Sequence, residues 1–155
     1  MDVELRLSEL GLALPPPPSP VAAYLLSRRS GGVLFLSGTT CYTEDGLLYK
    51  GRLGDELTID QGYAAARQTL LNLLSVVKAE IGNLDNVDYI IKLNGFVNSS
   101  PGFFQQPEVI NGASDLLVQI YGDRGKHART SIGVISLPDN IPVEIEMILQ
   151  IKENV

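Results

Sequence analysis

The feature that most constrains the fold is a long amphipathic helix in the middle of the chain. The tetrapeptide Thr58-Ile-Asp-Gln61 has the spacing of a capping box, in which the first and fourth side chains satisfy backbone N–H groups at a helix start. Apolar residues then recur every three or four positions, at Ile59, Tyr63, Ala66, Leu70, Leu73, Val77 and Ile81. Gly82 follows as a stop signal, so the pattern predicts one helix that ends near Ile81 and buries one face.

The flanking segments predict five strands and a second helix. A hairpin is predicted over residues 22–37, a further strand over residues 87–97, and a helix from Gln106-Pro107 to Tyr121-Gly122. The last two strands carry the β-branched run from Thr130 to Ile135 and the alternating run from Val143 to Leu149. This order of elements predicts a single α+β domain, with a mixed sheet and two helices packed on one face.

The connecting segments are rich in glycine and proline. Gly31-Gly32 supplies the turn of the hairpin, and the polar, glycine-rich stretch from Thr39 to Leu57 predicts a long loop of the kind that borders binding sites. Residues 2–10 favour a short helix, although a strand also fits their pattern. The proline run from Pro15 to Pro20 then predicts a stiff spacer. We therefore divide the chain into an N-terminal extension, residues 1–20, and a main domain, residues 21–155.

Composition limits the classes of function. The chain has 155 residues, 45% of them hydrophobic, which suits one globular domain. With Cys41 as the single cysteine and one histidine, neither an intrachain disulfide nor a Cys/His metal site is expected, and a cytoplasmic location is favoured. No segment approaches the length of a membrane span, so no membrane partner is expected. The net charge of −6 argues against a nucleic-acid partner, whose phosphates bind mainly Lys and Arg.

Two charged residues stand in strand-like runs where a charge needs a partner. Arg129 and Glu144 are fifteen positions apart, on either side of a turn at residues 137–140. If the two strands are adjacent, the two side chains can meet at one end of the sheet. The planar guanidinium of Arg129 can bind a small carboxylate through two parallel hydrogen bonds. The alternative is a structural salt bridge between Arg129 and either Glu144 or Glu146.

Five positions and two motifs resemble the Rid family of reactive-intermediate deaminases, also called the YjgF-like or L-PSP endoribonuclease family. The positions are Tyr24, Ser37 (followed by Gly38), Asn111, Arg129 and Glu144, and the motifs are Leu137-Pro138 and Val143-Glu-Ile-Glu146. The resemblance extends from about residue 20 to the C-terminus. The chain departs from the family at His127, Thr130 and Ser131, where Pro, Ser and Cys are frequent. The resemblance implies a chorismate-mutase-like fold of the Bacillus type and a homotrimer with ligand clefts between subunits.

The resemblance also implies an activity, the hydrolysis of small enamine or imine acids such as 2-aminoacrylate to a 2-oxo acid and ammonia. Arg129 would hold the carboxylate, and Glu144 would position or deprotonate the attacking water. The substrate-binding positions would be Tyr24, Ser37, Gly38, Asn111 and Ser131. No metal or organic cofactor is expected, because an imine is already electrophilic. Two other functions stay open. They are binding of 2-oxo acids without turnover and endoribonuclease activity, against which the acidic charge and the lack of paired histidines weigh.

For several of these residues a purely structural role also stays open. Glu144 and Glu146 lie two positions apart and therefore point to the same side of a strand, so one of them is expected to be structural. Ser131 is expected to share the strand face of Arg129. For Tyr24, taken as a strand residue, the pattern alone favours a place in the core. Asn111 is followed by Gly112, which is costly inside a helix and predicts a close contact with another backbone.

Overall fold

A computed structural model describes residues 2–19 and 22–153. The helices are α1 (Val3–Glu9), α2 (Ile59–Ile81) and α3 (Gln106–Tyr121). The strands are β1 (Ser27–Ser30), β2 (Val33–Thr39), β3 (Tyr42–Thr43), β4 (Gly46–Leu47), β5 (Val87–Asn98), β6 (Ala128–Val134) and β7 (Val143–Ile151). Five strands form one mixed sheet in the order β1-β2-β7-β5-β6, and β3 pairs with β4. The prediction of an α+β fold with a mixed sheet is confirmed.

Both long helices begin and end where the sequence predicts. Thr58 caps α2 with both hydrogen bonds of a capping box, and Gly82 ends the helix at φ 77°. Helix α3 has Pro107 in its first turn and ends at Gly122, whose φ is 61°. These positive φ values are open to glycine at little cost, which explains why each helix stops at that residue.

The two helices pack on each other and on one face of the sheet. The backbones approach closely at Gly112, because a Cβ atom there would lie 2.0 Å from the carbonyl oxygen of Tyr63 on α2. The predicted backbone contact is therefore confirmed. The inward residues of β7, from Val143 to Ile151, alternate with outward ones and are buried beneath the helices. The outward positions form the other side of the sheet, which we call the open face.

The prediction that the last two strands are adjacent is wrong. Strand β6 pairs in parallel with β5 alone, while β7 pairs antiparallel with both β2 and β5. The chain between β6 and β7 crosses the end of β5, where the Asn98 side chain donates to Asn140 Oδ1 at 2.9 Å and to the Ile141 carbonyl at 3.1 Å. Asn140 itself has a φ of 56°. These bonds hold the connection across β5, so β5 separates β6 from β7.

The hairpin is confirmed, with a later start than predicted. Strand β1 begins at Ser27 instead of Ala22, because residues 22–26 form bends. The two strands meet at Gly31-Gly32, since Ser30 pairs with Val33. The predicted loop from Thr39 to Leu57 contains the short β3-β4 hairpin, and Cys41 is buried beneath it.

The N-terminal segment packs on the same core as the rest of the chain. Val3 and Leu7 of α1 are buried, and the backbone N–H of Val3 donates to Asp85 Oδ1 at 3.0 Å. The predicted spacer therefore does not precede the core, because Val3 and Leu7, which lie before the prolines in the chain, are part of that core. The predicted boundary between residues 20 and 21 lies outside the described residues, and the division there stays a prediction. No helix in the described part of the chain is long and apolar enough to span a membrane.

Candidate functional site

The structure divides the predicted site residues between two places on opposite sides of the sheet. The guanidinium cluster lies between β6 and α3 and consists of Asn111, Ser114, His127 and Arg129. The carboxylate cluster lies on the open face and consists of Ser37, Gly38, Glu144 and Glu146. Strand β5 separates the two strands that carry Arg129 and Glu144. The prediction that these two side chains meet within one chain is therefore wrong.

Helix α3 fixes the orientation of the Arg129 guanidinium. Its Nη1 donates to Asn111 Oδ1 at 2.7 Å and to Ser114 Oγ at 3.1 Å. Asn111 and Ser114 are three residues apart and so share one face of the helix. Neither Glu144 nor Glu146 pairs with Arg129, so the structural salt bridge is absent among the described residues. Only Nη1 is held by protein groups in that part of the chain, which leaves the Nε–Nη2 edge for a ligand carboxylate.

A histidine extends this network on its far side. His127 Nδ1 lies 2.6 Å from the Gly125 carbonyl, and Nε2 lies 3.0 Å from Ser114 Oγ. A carbonyl only accepts, so we assign the ring proton to Nδ1 and let the Ser114 hydroxyl donate to Nε2. Burial lowers the pKa of His127, the Gly125 carbonyl raises it in part, and the charge on Arg129 lowers it again. The neutral ring is thereby favoured, as this direction of donation requires.

Ser114 is the residue that the sequence analysis missed. A signal for it was present, because Ser114 follows Asn111 by three positions on a predicted helix. In the sequence His127 stands out only as a departure from the family pattern, whereas in the structure its Nε2 is hydrogen-bonded to Ser114. Ser131 lies on the same strand face as Arg129, as predicted, and its Oγ is buried without a hydrogen-bond partner among the described residues.

The carboxylate cluster is shaped by a bulge between β2 and β7. Leu36 pairs with Met147 and Thr39 with Ile145, so that Ser37 and Gly38 together lie opposite the single residue Glu146. The Ser37 hydroxyl donates to the Leu25 carbonyl at 2.6 Å.

Glycine at position 38 makes room for a neighbouring carboxylate. A Cβ atom at Gly38 would lie 2.5 Å from Glu144 Oε1 and 3.1 Å from its Cδ. A larger residue would therefore displace the Glu144 carboxylate from its present position. Gly38 thus contributes to the site because its lack of a side chain leaves room for the Glu144 carboxylate.

The two glutamates of the cluster have different environments. Both are on the open face, as the alternation along β7 requires. Glu146 Oε1 accepts a hydrogen bond from Asn94 Nδ2 at 2.8 Å, and the side chain is thereby tied to β5. The pKa of Glu144 is raised, first by burial and then by the negative charge of Glu146. Of the two carboxylates, Glu144 is therefore the better placed to exchange a proton.

Tyr24 lies outside the sheet and outside the core. It belongs to the bends at residues 22–26 and is 48% exposed, so its assignments to a strand and to the core are both wrong. No group of three His, Cys, Asp or Glu side chains with metal-binding spacing occurs in residues 2–19 and 22–153.

Comparison with known proteins shows which family this chain belongs to. Residues 4–147 match the family described as "YjgF/chorismate_mutase-like, putative endoribonuclease". The chain belongs to this family. Protein TCP17 of Trypanosoma cruzi is 40% identical over 151 residues, which cover 97% of this chain and 94% of TCP17. The resemblance to the YjgF-like, or Rid, family is confirmed.

Two solved structures show how far the likeness extends. A "putative endoribonuclease" from Shewanella oneidensis has a TM-score of 0.94 and 32% identity, covering 97% of this chain and all of that one (100%). RidA from an Antarctic Psychrobacter has a TM-score of 0.61 and 24% identity, covering 87% of this chain and 94% of its own. At that identity RidA shares the fold alone. The family comparison thus supports the chorismate-mutase-like fold and leaves the reaction to be argued from the residues.

Proposed function

We propose that this protein hydrolyses small enamine or imine acids to 2-oxo acids and ammonia. The observation that carries the proposal is the orientation of Arg129. Its Nη1 is bound by Asn111 and Ser114, and its Nε–Nη2 edge is left with the geometry that a carboxylate matches. A guanidinium held in this way positions a small acid in one orientation, which favours a reaction at the neighbouring carbon.

The proposed reaction needs one carboxylate that can accept and return a proton. With the substrate carboxylate on Arg129, Glu144 accepts a proton from water as the water oxygen bonds to the iminium carbon. Glu144 then returns that proton to the nitrogen. As the C–N bond breaks, Glu144 takes the proton of the new hydroxyl group, so that the 2-oxo acid forms, and passes it to the departing ammonia, which leaves as ammonium. The raised pKa of Glu144 suits both halves of this exchange, because it brings the pKa closer to neutral pH. Ser37, Gly38, Ser131 and Tyr24 would complete the cleft.

This reaction requires Arg129 of one copy to meet the carboxylate cluster of another. The two clusters lie on opposite sides of the sheet in one chain, and β6, which carries Arg129, is an edge strand. The open side of the sheet also carries exposed apolar residues, among them Phe35 and Ile132, and Ile135 follows β6 with 87% exposure. Exposed apolar surface of this kind favours association. We therefore propose a homotrimer with clefts between subunits.

Binding of 2-oxo acids without turnover is the second candidate. It is favoured by the completeness of the guanidinium cluster, which one chain forms without the carboxylate cluster. Endoribonuclease activity has the description of the family in its favour, but the net charge of −6 opposes phosphate binding. We further propose a cytoplasmic location, which the buried free thiol of Cys41 supports.

Two substitutions of Arg129 test the proposal. Arg129→Ala should abolish calorimetric binding of 2-oxobutyrate, and Arg129→Lys should restore it poorly, because an ammonium lacks the planar fork. Arg52→Ala is the matched control, since that guanidinium pairs with Asp55 at the surface. Binding by the Ala variant at the parent affinity would remove the central claim.

A second experiment tests the assembly. Three chains of 16.8 kDa give a mass of about 50 kDa, which light scattering at micromolar concentration should report. A monomer that hydrolyses 2-aminoacrylate would contradict the cleft between copies.

A further inference from the structure

The open face contains a cavity beside the carboxylate cluster. Its volume is about 280 Å³, and its walls include Leu25, Arg28, Phe35, Ser37, Glu146 and Ile148. Ser37 and Glu146 are themselves members of the carboxylate cluster, so the cavity is continuous with the place where Glu144 would act. The proposed reaction does not use it.

Arg28 provides the positive charge in this cavity. On β1 it pairs with Phe35, which in turn pairs with Ile148 on β7, so all three side chains project from the open face. No ion pair of Arg28 occurs within residues 2–19 and 22–153. Its neighbour Arg29 projects to the opposite side, and its Nε donates to the Gly31 carbonyl at 3.0 Å.

The spacing between Arg28 and Glu144 indicates the length of a ligand that would join them. Ile148 is four residues from Glu144, or roughly 13 Å along β7, and β1 lies two strand spacings, roughly 10 Å, from β7. The diagonal between the two Cα atoms is therefore on the order of 16 Å, and the two side chains span a large part of it. The remaining gap suits a substrate with several carbons between its reacting carbon and its far end.

We propose that this cavity binds the side chain of the substrate and that Arg28 pairs with a second carboxylate at its end. The preferred substrates would then be imines of dicarboxylic amino acids. This inference rests on the proposed function, in which a neighbouring copy brings Arg129 to the first carboxylate. Leu25, Phe35 and Ile148 supply apolar walls for the methylene groups of such a substrate.

Charge in the cavity supports a dianion once Arg28 is included. Glu146 would repel a second carboxylate, but Asn94 Nδ2 donates to its Oε1 at 2.8 Å and holds it towards β5. Arg28 approaches from β1, on the other side of the cavity. A substrate with only a methyl or ethyl side chain would leave the Arg28 guanidinium without a partner.

Binding of 2-oxo acids tests the inference without requiring turnover. Calorimetry should compare 2-oxobutyrate, 2-oxoglutarate, 2-oxoadipate and phenylpyruvate on the full-length protein. The parent should bind at least one of the two dicarboxylates roughly tenfold more tightly than 2-oxobutyrate. A tenfold difference in affinity corresponds to about 1.4 kcal/mol of binding free energy. Arg28→Gln should remove this preference and leave the affinity for 2-oxobutyrate unchanged.

Two further variants separate a ligand contact from a general effect of charge. Arg29→Gln removes the same charge from the opposite side of β1 and should preserve the preference. Arg28→Lys keeps the charge without the fork and should restore it in part. Thermal unfolding of both Arg28 variants should match the parent, because Arg28 is exposed.

The possible outcomes distinguish this inference from the proposed function. Binding of 2-oxobutyrate together with an equal or weaker affinity for both dicarboxylates would overturn the role of Arg28 and leave that of Arg129 intact. A preference for phenylpyruvate that survives Arg28→Gln would also overturn it, because the cavity would then be an apolar pocket. Failure of every 2-oxo acid to bind would remove both proposals.

Discussion

Substitution of Gly112 by alanine should loosen the contact between α2 and α3. The added Cβ atom would lie 2.0 Å from the Tyr63 carbonyl oxygen and 3.2 Å from the Arg67 nitrogen. An ordinary contact begins at about 3.4 Å, so the helices must separate by roughly 1.4 Å at this point. Both opposing atoms belong to the backbone, which cannot rotate away as a side chain can.

Two opposing effects set the size of the change. Alanine is favoured over glycine inside a helix by about 1 kcal/mol. Overpacking of a dense interior costs about 1–3 kcal/mol, and a backbone clash belongs at the upper end of that range. We therefore expect a net loss of about 2 kcal/mol in the free energy of unfolding, or roughly 4–8 °C in Tm for a chain of this size.

The same movement should weaken ligand binding. Asn111 precedes Gly112 on α3, and Ser114 follows it, so a shift of α3 lengthens both hydrogen bonds to Arg129. Calorimetric unfolding and titration with 2-oxobutyrate should be measured at one fixed protein concentration, because association contributes to apparent stability.

Gly62→Ala is the matched control. Its Cβ atom would meet Leu53 Cδ1 at 2.7 Å and the two Val109 methyl groups at 3.0 Å, which are side-chain atoms that can shift. The control should lose less stability than Gly112→Ala and should keep the parent affinity for 2-oxobutyrate. A Gly112→Ala variant as stable as the parent, or a larger loss at Gly62, would refute this account of the contact.

Four further predictions concern the two clusters. Glu144→Gln should lower imine hydrolysis by ~10²–10⁴ while 2-oxobutyrate still binds, as measured by release of 2-oxo acid from imine generated in situ. Glu146→Gln should retain most of the activity and move the acidic limb of the pH–activity profile to lower pH, because the charge that helps to raise the pKa of Glu144 is gone. An acidic limb at the parent's pH would show that another group titrates. Ser114→Ala should weaken 2-oxobutyrate binding roughly tenfold, since a hydrogen bond to a charged group is worth about 1.5–3 kcal/mol. Ser114→Thr keeps the hydroxyl group and should restore binding. Equal affinities in the parent and both variants would exclude Ser114 as a support of Arg129. The pKa of His127 is lowered in the folded protein, so just below the ordinary value of 6.5 the folded protein binds fewer protons than the unfolded chain. The free energy of unfolding should therefore fall as the pH falls from 6.5 through the lowered pKa. His127→Gln should flatten this slope when unfolding is measured as a function of pH.

Local chemistry explains why the helices could be predicted from the sequence. The capping box at Thr58 and the glycines at positions 82 and 122 satisfy or release backbone groups within a few residues of each helix end. Such signals do not depend on the rest of the fold. The unfavourable helix propensity of glycine also depends only on local structure. A glycine inside α3 therefore predicted the close backbone contact that is found at Gly112.

Strand order, by contrast, depends on partners far away in the chain. Nothing in residues 129–144 indicates that β5, some forty residues earlier, lies between β6 and β7. The bends at residues 22–26 also escaped prediction, because the apolar pattern there is compatible with a strand.

The sequence by itself determined the helices, most of the strand positions, the family and the residue types of the site. Only the tertiary structure decided how those residues are grouped. Alternation assigns a side chain to one of two faces, but pairing decides which strands are neighbours and which face the helices cover. For this reason Arg129 lies against α3 and Glu144 lies on the open face, on opposite sides of one sheet.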